Sequence, residues 1–505
     1  MTGKRRTSIS ILLTTLLMPL LMAPLILFYS AAVYADAHEE SGHRIWQETQ
    51  YNQQENQQKN EASLIIPDAI PTKEGTSAAT GHGQQLKIEN NLKDTTKALY
   101  FAINDQQWSN VKHLLVAYQK MPEYDPLLVD FAKGGLARIE GNLALSASHY
   151  QKILSQKPNF TRIKLELARV YFEDHKNREA EQLFNGLREQ HQLPEIVLQN
   201  IDRYLQALPL RNSWHSSFSF GYAYDDNINM SPNQKAICLL TKEGKCIIER
   251  NAPKPIKESG STYNATLSRR YSLIGHHGIF GRGLIYGKNY PHYHDGNENT
   301  FLLVSGYSYK SRDHNLSVGP LFEYKQRAGK AEYHAIGAKI EGQWAMTAQT
   351  FLNVELTNKR LSYPQSYSFK DGELYSSYFS LSHIISNNIV LFGGGNWVYR
   401  DNQQPADRYQ QWGVSAGIAG QFYPGIKGSL IATLRQQHFE AYSALLGAKR
   451  QDNEQIYTAS IKFPNAKILG MTPSLTFQHR HNRSNVGWLY SYDKNEIQIQ
   501  LEKYF

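Results

Sequence analysis

The last ten residues, Glu496–Phe505 (EIQIQLEKYF), alternate polar and apolar side chains, contain no turn residue and stop on a phenylalanine. Within hydrocarbon every backbone N–H and C=O needs a partner, so chains cross membranes as helices or as closed barrels. Only the barrel permits a spanning strand with one apolar and one polar face. The segment predicts the closing strand of an outer-membrane β-barrel. Ile497, Ile499, Leu501 and Phe505 would face lipid, and Gln498, Gln500 and Glu502 the lumen. Phe505 is the residue expected to be read by the barrel-assembly machinery. Lys503 falls in the lipid register, where near an interface its ammonium reaches water at little cost. An edge strand of a soluble sheet is the competing interpretation.

At the other end, Lys4, Arg5 and Arg6 precede an apolar run from Ile9 to Tyr29 and then Val33-Tyr34-Ala35. That is the form of a secretory signal peptide over residues 1–35, cut after Ala35 or Ala37. An uncleaved anchor helix is the alternative, and Pro19 and Pro24 speak against it. Export implies an oxidising compartment, in which the two cysteines, Cys238 and Cys246, predict a disulfide closing a small loop, with two free thiols as the alternative. No histidine lies between or beside them, which argues against zinc.

The 54 Lys and Arg against 45 Asp and Glu give a formal charge of +9; without Lys4, Arg5 and Arg6 the balance is 51 against 45, or +6. No basic cluster interleaved with aromatics accompanies this mild excess, so nucleic acid is not an expected partner. A mean hydropathy of −0.52 fits a barrel with a polar lumen and a soluble extension. The 32 Tyr against 20 Phe fit aromatic girdles at two membrane interfaces, which makes outer-membrane lipid an expected partner.

Residues 36–85, with stretches such as YNQQENQQKN, offer too little apolar surface to offset chain entropy and predict a disordered linker. From 86 to 210 the period becomes helical and a repeat emerges. Gly134, Ser146, Tyr150, Ile153 and Pro158 are followed 34 residues later by Ala168, Ala180, Phe184, Leu187 and Gln192. Small residues at helix crossings and an aromatic on the second helix form the tetratricopeptide (TPR) pattern, with an ordinary helical bundle as the alternative. Lys133 and Ala137 stand where the later repeat has Leu167 and Tyr171, so the earlier repeat is degenerate. A further helix pair is expected between Lys93 and Met121, and a capping helix from Pro194 to Leu208. The repeat register points Phe131, Arg138, Arg162, Leu165, Arg169 and Phe172 into a concave groove suited to peptide, or onto a merely solvated face.

From 211 to 505 short alternating segments replace the helical period. About fourteen occur, starting near Trp214, Ser261, Gly278 and Thr300 and ending with those near Thr472 and Lys494. Phe322 and Tyr324, for example, alternate with Glu323 and Lys325. With an even strand count and both barrel ends periplasmic, odd connections should be the long external ones. Asp225–Gly260, His438–Asn453 and Arg483–Asp493 fit that rule, as do the tight even connections at Ser311-Arg312-Asp313 and Ser386-Asn387. The fold expected is α+β and multidomain: an all-α TPR-like solenoid followed by an antiparallel transmembrane barrel of about fourteen strands.

This combination resembles the surface lipoprotein assembly modulator (Slam) family, the outer-membrane translocons of type XI secretion. The sharpest local likeness is WHSSFSFGYAYDDNINMSP from Trp214, in which Asp225, Asp226, Asn227, Ile228 and Asn229 look like the family's D-x-N-x-N element after the first strand. Its carboxylates read either as turn chemistry or as contacts to a client or a cation. The resemblance implies delivery of protein clients to the cell surface, either surface lipoproteins or secreted haem- or metal-acquisition proteins. The TPR region would bind on the periplasmic side and the barrel would form the membrane path, through the lumen or through a lateral opening.

No H-E-x-x-H and no P-loop occurs, and neither catalysis nor a cofactor is expected. His292-x-His294 with Asp295, and His479-x-His481, read more simply as polar loop or lumen lining than as metal sites. A polysaccharide exporter and a porin-like transporter remain the other functions to be weighed.

Overall fold

The computed structural model describes residues 91–190, 193–234, 236–242, 245–386, 388–444 and 446–505, with no side-chain description over 237–250. The signal-peptide and linker expectations therefore lie outside the described residues, as do the side chains of Cys238 and Cys246.

Among the described residues seven helices come first: α1 (Leu92–Asn104), α2 (Trp108–Tyr118), α3 (Pro126–Ile139), α4 (Leu143–Gln156), α5 (Thr161–Glu173), α6 (Asn177–Arg188) and α7 (Glu195–Leu210). Side chains start them where the sequence allows. Asn91, Asp125 and Asn142 each accept a first-turn backbone N–H, and Pro126 follows Asp125 at the first helical position. α3 and α4 cross at Gly134, where any Cβ would lie 2.4 Å from the Tyr150 ring. Ser146 Oγ donates to the Gly134 carbonyl at the same crossing, at 2.7 Å. The 34-residue spacing therefore records a close helix contact. One apolar core joins α1 to α5 through Leu99, Val111, Tyr118, Tyr150 and Ile163, and a second holds Phe172, Phe184, Ile201 and Tyr204.

The strands are β1 (His215–Asp225), β2 (Ala236–Lys242), β3 (Lys245–Asn251), β4 (Glu258–Ser272), β5 (His277–Asn289), β6 (Glu298–Lys310), β7 (His314–Arg327), β8 (Lys330–Ala345), β9 (Thr350–Ser362), β10 (Gly372–Ser386), β11 (Ile389–Arg400), β12 (Tyr409–Tyr423), β13 (Ile426–Phe439), β14 (Gln451–Lys462), β15 (Thr472–Ser484) and β16 (Tyr492–Tyr504). β1 and β4 to β16 form a closed antiparallel barrel of fourteen strands in which β1 lies between β4 and β16. Closure leaves no unpaired edge in the bilayer, as the terminal strand pattern requires. No helix among the described residues is long and apolar enough to cross a membrane; the strands do so.

Alternation sorts the side chains. Ile497 and Ile499 are exposed on the outer wall while Glu502 is buried in the lumen. Tyr307 and Tyr309 ring one end of the wall, and Tyr375, Trp397, Tyr399 and Trp412 stack near the other. Odd connections are mostly long, with two departures. Ala328 and Gly329, both at positive φ, make a tight hairpin between β7 and β8 in the outer set. The inner connection 463–471 is long, and an Ile468–Met471 bridge closes it. The first outer connection also contains the β2–β3 hairpin, an element not expected from the sequence. Cys238 lies on one of its strands and Cys246 on the other.

Candidate functional site: the β1–β16 seam and the docked helical domain

The first and last strands meet in the shortest ladder of the barrel, nine registered pairs from Ser217–Tyr504 to Asp225–Glu496. One mutual backbone pair, Ser216 with Phe505 at 3.2 and 2.9 Å, extends it. The outer end is reinforced by the Asp225–Asn229 element. Asp226 accepts the backbone N–H of Asn495 at 2.7 Å and its side-chain N–H at 2.8 Å. Asn227 Nδ2 donates to the carbonyls of Asp493 (2.8 Å) and Ser231 (3.0 Å), and its Oδ1 accepts the Ser231 N–H at 2.7 Å. Asn229 ties in the far side of the loop, donating to Lys254 O at 3.0 Å and accepting from Ile256 N at 2.9 Å.

Asp225 is fully buried. One carboxylate oxygen accepts the Asn227 N–H at 3.0 Å, an Asx-type turn. The other receives Lys494 Nζ at 2.6 Å and the Tyr290 hydroxyl at 3.2 Å. The element thus combines turn chemistry with a clasp across the seam, and its carboxylates are occupied by protein donors. No cluster of three metal-ligating side chains occurs among the described residues. His292 bonds Glu258, while His479 and His481 bond Asn495 and Asp493 on the outer wall, where the lumen had been one expectation.

At the inner end the helical domain is bolted to the barrel beside β1. Arg211, between α7 and β1, donates to Phe172 O at 2.7 Å and Asn177 Oδ1 at 2.9 Å, with its guanidinium 3.7 Å from the Phe172 ring centroid. Asn177 in turn donates to Ser272 Oγ at 3.0 Å. Asn212 accepts from Ser272 N at 3.0 Å and, through its carbonyl, from Arg269 Nε at 2.9 Å. The turn after β4 closes the joint: Gly275 N donates to Glu179 at 2.6 Å and His276 Nε2 lies 2.9 Å from Asp174. His175, at φ +58°, sits among these groups. Part of its surface still meets solvent. Even so, the protein packed around its imidazole, with the charges of Lys310, Arg211, Arg270 and His276, holds its pKa well below the usual histidine range.

A family model described as "Surface lipoprotein assembly modifier" matches residues 214–505, and one described as "Surface lipoprotein assembly modifier, N-terminal TPR repeats" matches residues 82–184. The chain belongs to the surface lipoprotein assembly modifier family. It is 36% identical over 438 residues to the "Hemophilin secretion modulator" of Acinetobacter baumannii, covering 84% of this chain and 88% of that protein. It is 24% identical over 477 residues to "Surface lipoprotein assembly modifier 1" of Neisseria meningitidis serogroup B, covering 88% and 90%. The barrel places this family member in the outer membrane, with its TPR domain N-terminal to it.

In this family member the six residues assigned to a TPR groove do not form an open one. Phe131, Leu165 and Phe172 are buried in the helical cores. The three arginines converge on carboxylates: Arg138 makes a bidentate pair with Glu173 at 2.6–3.1 Å, while Arg162 and Arg169 lie 3.0 and 3.6 Å from Glu166. Repeat register located the right helices, but the glutamates that neutralise the arginines come from positions the repeat leaves unconstrained.

The lumen of this family member is charged and internally paired. Lys339 on β8 sits 3.1 Å from Glu341 and 3.0 Å from Glu355 on β9, and Arg282 on β5 also pairs with Glu341. Lys359 binds Glu323 at 3.0 Å and Lys462 binds Glu502 at 2.7 Å. Lysines buried this far survive because carboxylates meet them. The sequence also contains a G-x-S-x-G spacing, Gly413-Val414-Ser415-Ala416-Gly417, but it lies in mid-strand of β12. A nucleophile elbow needs a strand–turn–helix there.

Sequence reasoning missed Asp493 and Asn495 as partners of the D-x-N-x-N element, and also the joint around His175. Only pairing of the chain ends in space reveals the first. Nothing in the local pattern marks the second.

Proposed function

We propose that this chain is an outer-membrane translocon that takes specific protein clients from the periplasm to the cell surface, its TPR domain meeting the client and its barrel providing the path. The observation that carries this reading is the docking of the helical domain beside the inner end of β1, through Arg211, Asn177 and Glu179. A binding domain held at the strand where the barrel closes is suited to handing a chain to that point. The names of the two relatives favour a secreted hemophilin-like client over a surface lipoprotein, because the A. baumannii protein is the more similar of the two. A porin is less well supported: a lumen whose lysines are buried against neighbouring carboxylates is a poor open channel.

The same reading includes removal of residues 1–35 as a signal peptide and residues 36–85 as a spacer. It also includes a Cys238–Cys246 bridge in the outer hairpin, and Phe505 as the mark read during barrel assembly. The decisive experiment compares surface and secreted proteins of wild-type, deletion and complemented strains by mass spectrometry. Loss of one or a few proteins, retained in the periplasm and restored by complementation, is the expected result. An unchanged protein profile with altered polysaccharide or solute uptake would overturn it in favour of an exporter or a porin.

A further inference from the structure

Closed barrels hide their strand edges, so a barrel that admits a strand must unpair one ladder first. The β1–β16 ladder is the shortest, and its two ends are unlike. Side-chain bonds from Asp226 and Asn227 to Asp493 and Asn495, and from Asp225 to Lys494, reinforce the outer end. In mid-ladder, Gln500 reaches over Gly221 to Thr262 on β4 at 3.1 Å. At the periplasmic end Phe505 pairs with Ser216 through the main chain, and its ring, 65% exposed, lies 4.7 Å from the Lys503 ammonium. The two strands are also held differently. β1 is fixed to β4 by Ser217–Thr266 (2.6 Å) and to the helical domain through Arg211 and Asn212, whereas β16 is held on its far side, by Glu502 to Ser474 on β15 (2.9 Å) and to Lys462 on β14 (2.7 Å).

We propose that the inner half of this seam is a strand-exchange site. The end of β16, Gln500–Phe505, peels away while the outer clasp acts as the hinge, and the uncovered edge of β1, Ser216–Gly221, receives an incoming strand. The partner that fits is an extended segment with alternating side chains. Apolar residues would follow the outward row of Phe218 and Phe220, and small polar residues the inward row of Ser217 and Ser219. Main-chain hydrogen bonds supply the affinity and the alternation supplies the register. The helical domain, fixed to β1, stays at the side of the seam that accepts the strand. This inference rests on the translocon reading.

Two engineered disulfides test it, both at non-hydrogen-bonded pairs, where opposed side chains are closest: Ser217→Cys with Tyr504→Cys at the inner end, and Ala223→Cys with Gln498→Cys at the outer. The readout is the protein whose surface or medium level collapses on deletion of the chain, followed by quantitative mass spectrometry. The inner lock is expected to cut export at least tenfold and to be relieved by reductant, while the outer lock leaves export within twofold. Full export through a verified inner lock, or equal blockage by both locks, would overturn the proposal. Should the inner variant fail to insert, hydrogen exchange of the wild-type chain in detergent decides. The seam-facing amides of Phe218, Phe220, Leu501 and Lys503 should exchange at least tenfold faster than those of Tyr222, Tyr224, Ile497 and Ile499, and equal protection would overturn it. If deletion changes no exported protein, the translocon reading itself fails; if deletion abolishes export and the inner-locked chain restores it, only the strand-exchange site fails.

Discussion

The carboxylate of Asp226 accepts both the backbone and the side-chain N–H of Asn495, at 2.7 and 2.8 Å, joining the end of the first barrel strand to the last across 269 residues. Asp226→Ala removes both acceptors and leaves a backbone donor without its partner, a loss of about 1–3 kcal/mol. The expected outcome is a lower temperature for the folded-to-unfolded band shift in detergent gels. Asp226→Asn keeps one acceptor and should fall between the two. Equal stability of all three chains would show that the clasp contributes nothing.

Inside the barrel, Glu341 and Glu355 stand directly opposite each other on β8 and β9, with Lys339 bonded to both. Lys339→Met removes the ammonium shared by two partly buried carboxylates that face one another, Glu341 keeping Arg282, and the loss is expected to reach at most about 3–5 kcal/mol. Adding Glu355→Gln should recover much of that loss by removing one charge. The same gel assay or thermal unfolding in detergent checks it, and a double variant no better than the single would count against the ion cluster as a structural unit.

Gly134→Leu separates the two halves of the chain. The new side chain would collide with the Tyr150 ring where α3 and α4 cross, and overpacking of this kind costs about 1–3 kcal/mol or more. Helical circular dichroism and export should both fall, while the barrel's heat-dependent gel shift stays at the wild-type temperature. Export at the wild-type level by a chain whose helices have lost their packing would remove the TPR domain from the function.

The terminal strand was readable because a two-residue period with no interruption has few folds available to it. The same period located all fourteen barrel strands, since a membrane wall enforces the alternation that a soluble sheet can relax. Gly134 and Ala168 revealed the helix crossings because a crossing tolerates only small residues. The groove assignment shows the limit. Arg138, Arg162 and Arg169 were placed on a face by repeat phase, but whether an arginine faces solvent or a glutamate depends on side chains that no period fixes. Asp226 and Asn495 illustrate a second limit: each looks like an ordinary loop residue until closure of the barrel makes them neighbours.

The joint between the domains should respond to pH through His175. Burial, reinforced by Lys310, Arg211, Arg270 and His276, depresses its pKa in the folded chain, so the neutral imidazole is the form that fits. A free histidine titrates near pH 6.5. Above that value neither state binds the proton and docking is at full strength. As the pH falls below it, the undocked or unfolded chain takes up a proton that the docked joint resists, and docking weakens progressively toward the depressed pKa. Protease cleavage between α7 and β1 should therefore be slow at pH 7.5 and faster at pH 5.5. His175→Asn should flatten that difference, because asparagine tolerates the positive φ of this position and carries no titrating group. A variant that keeps the full pH dependence would place the sensitive group elsewhere in the joint.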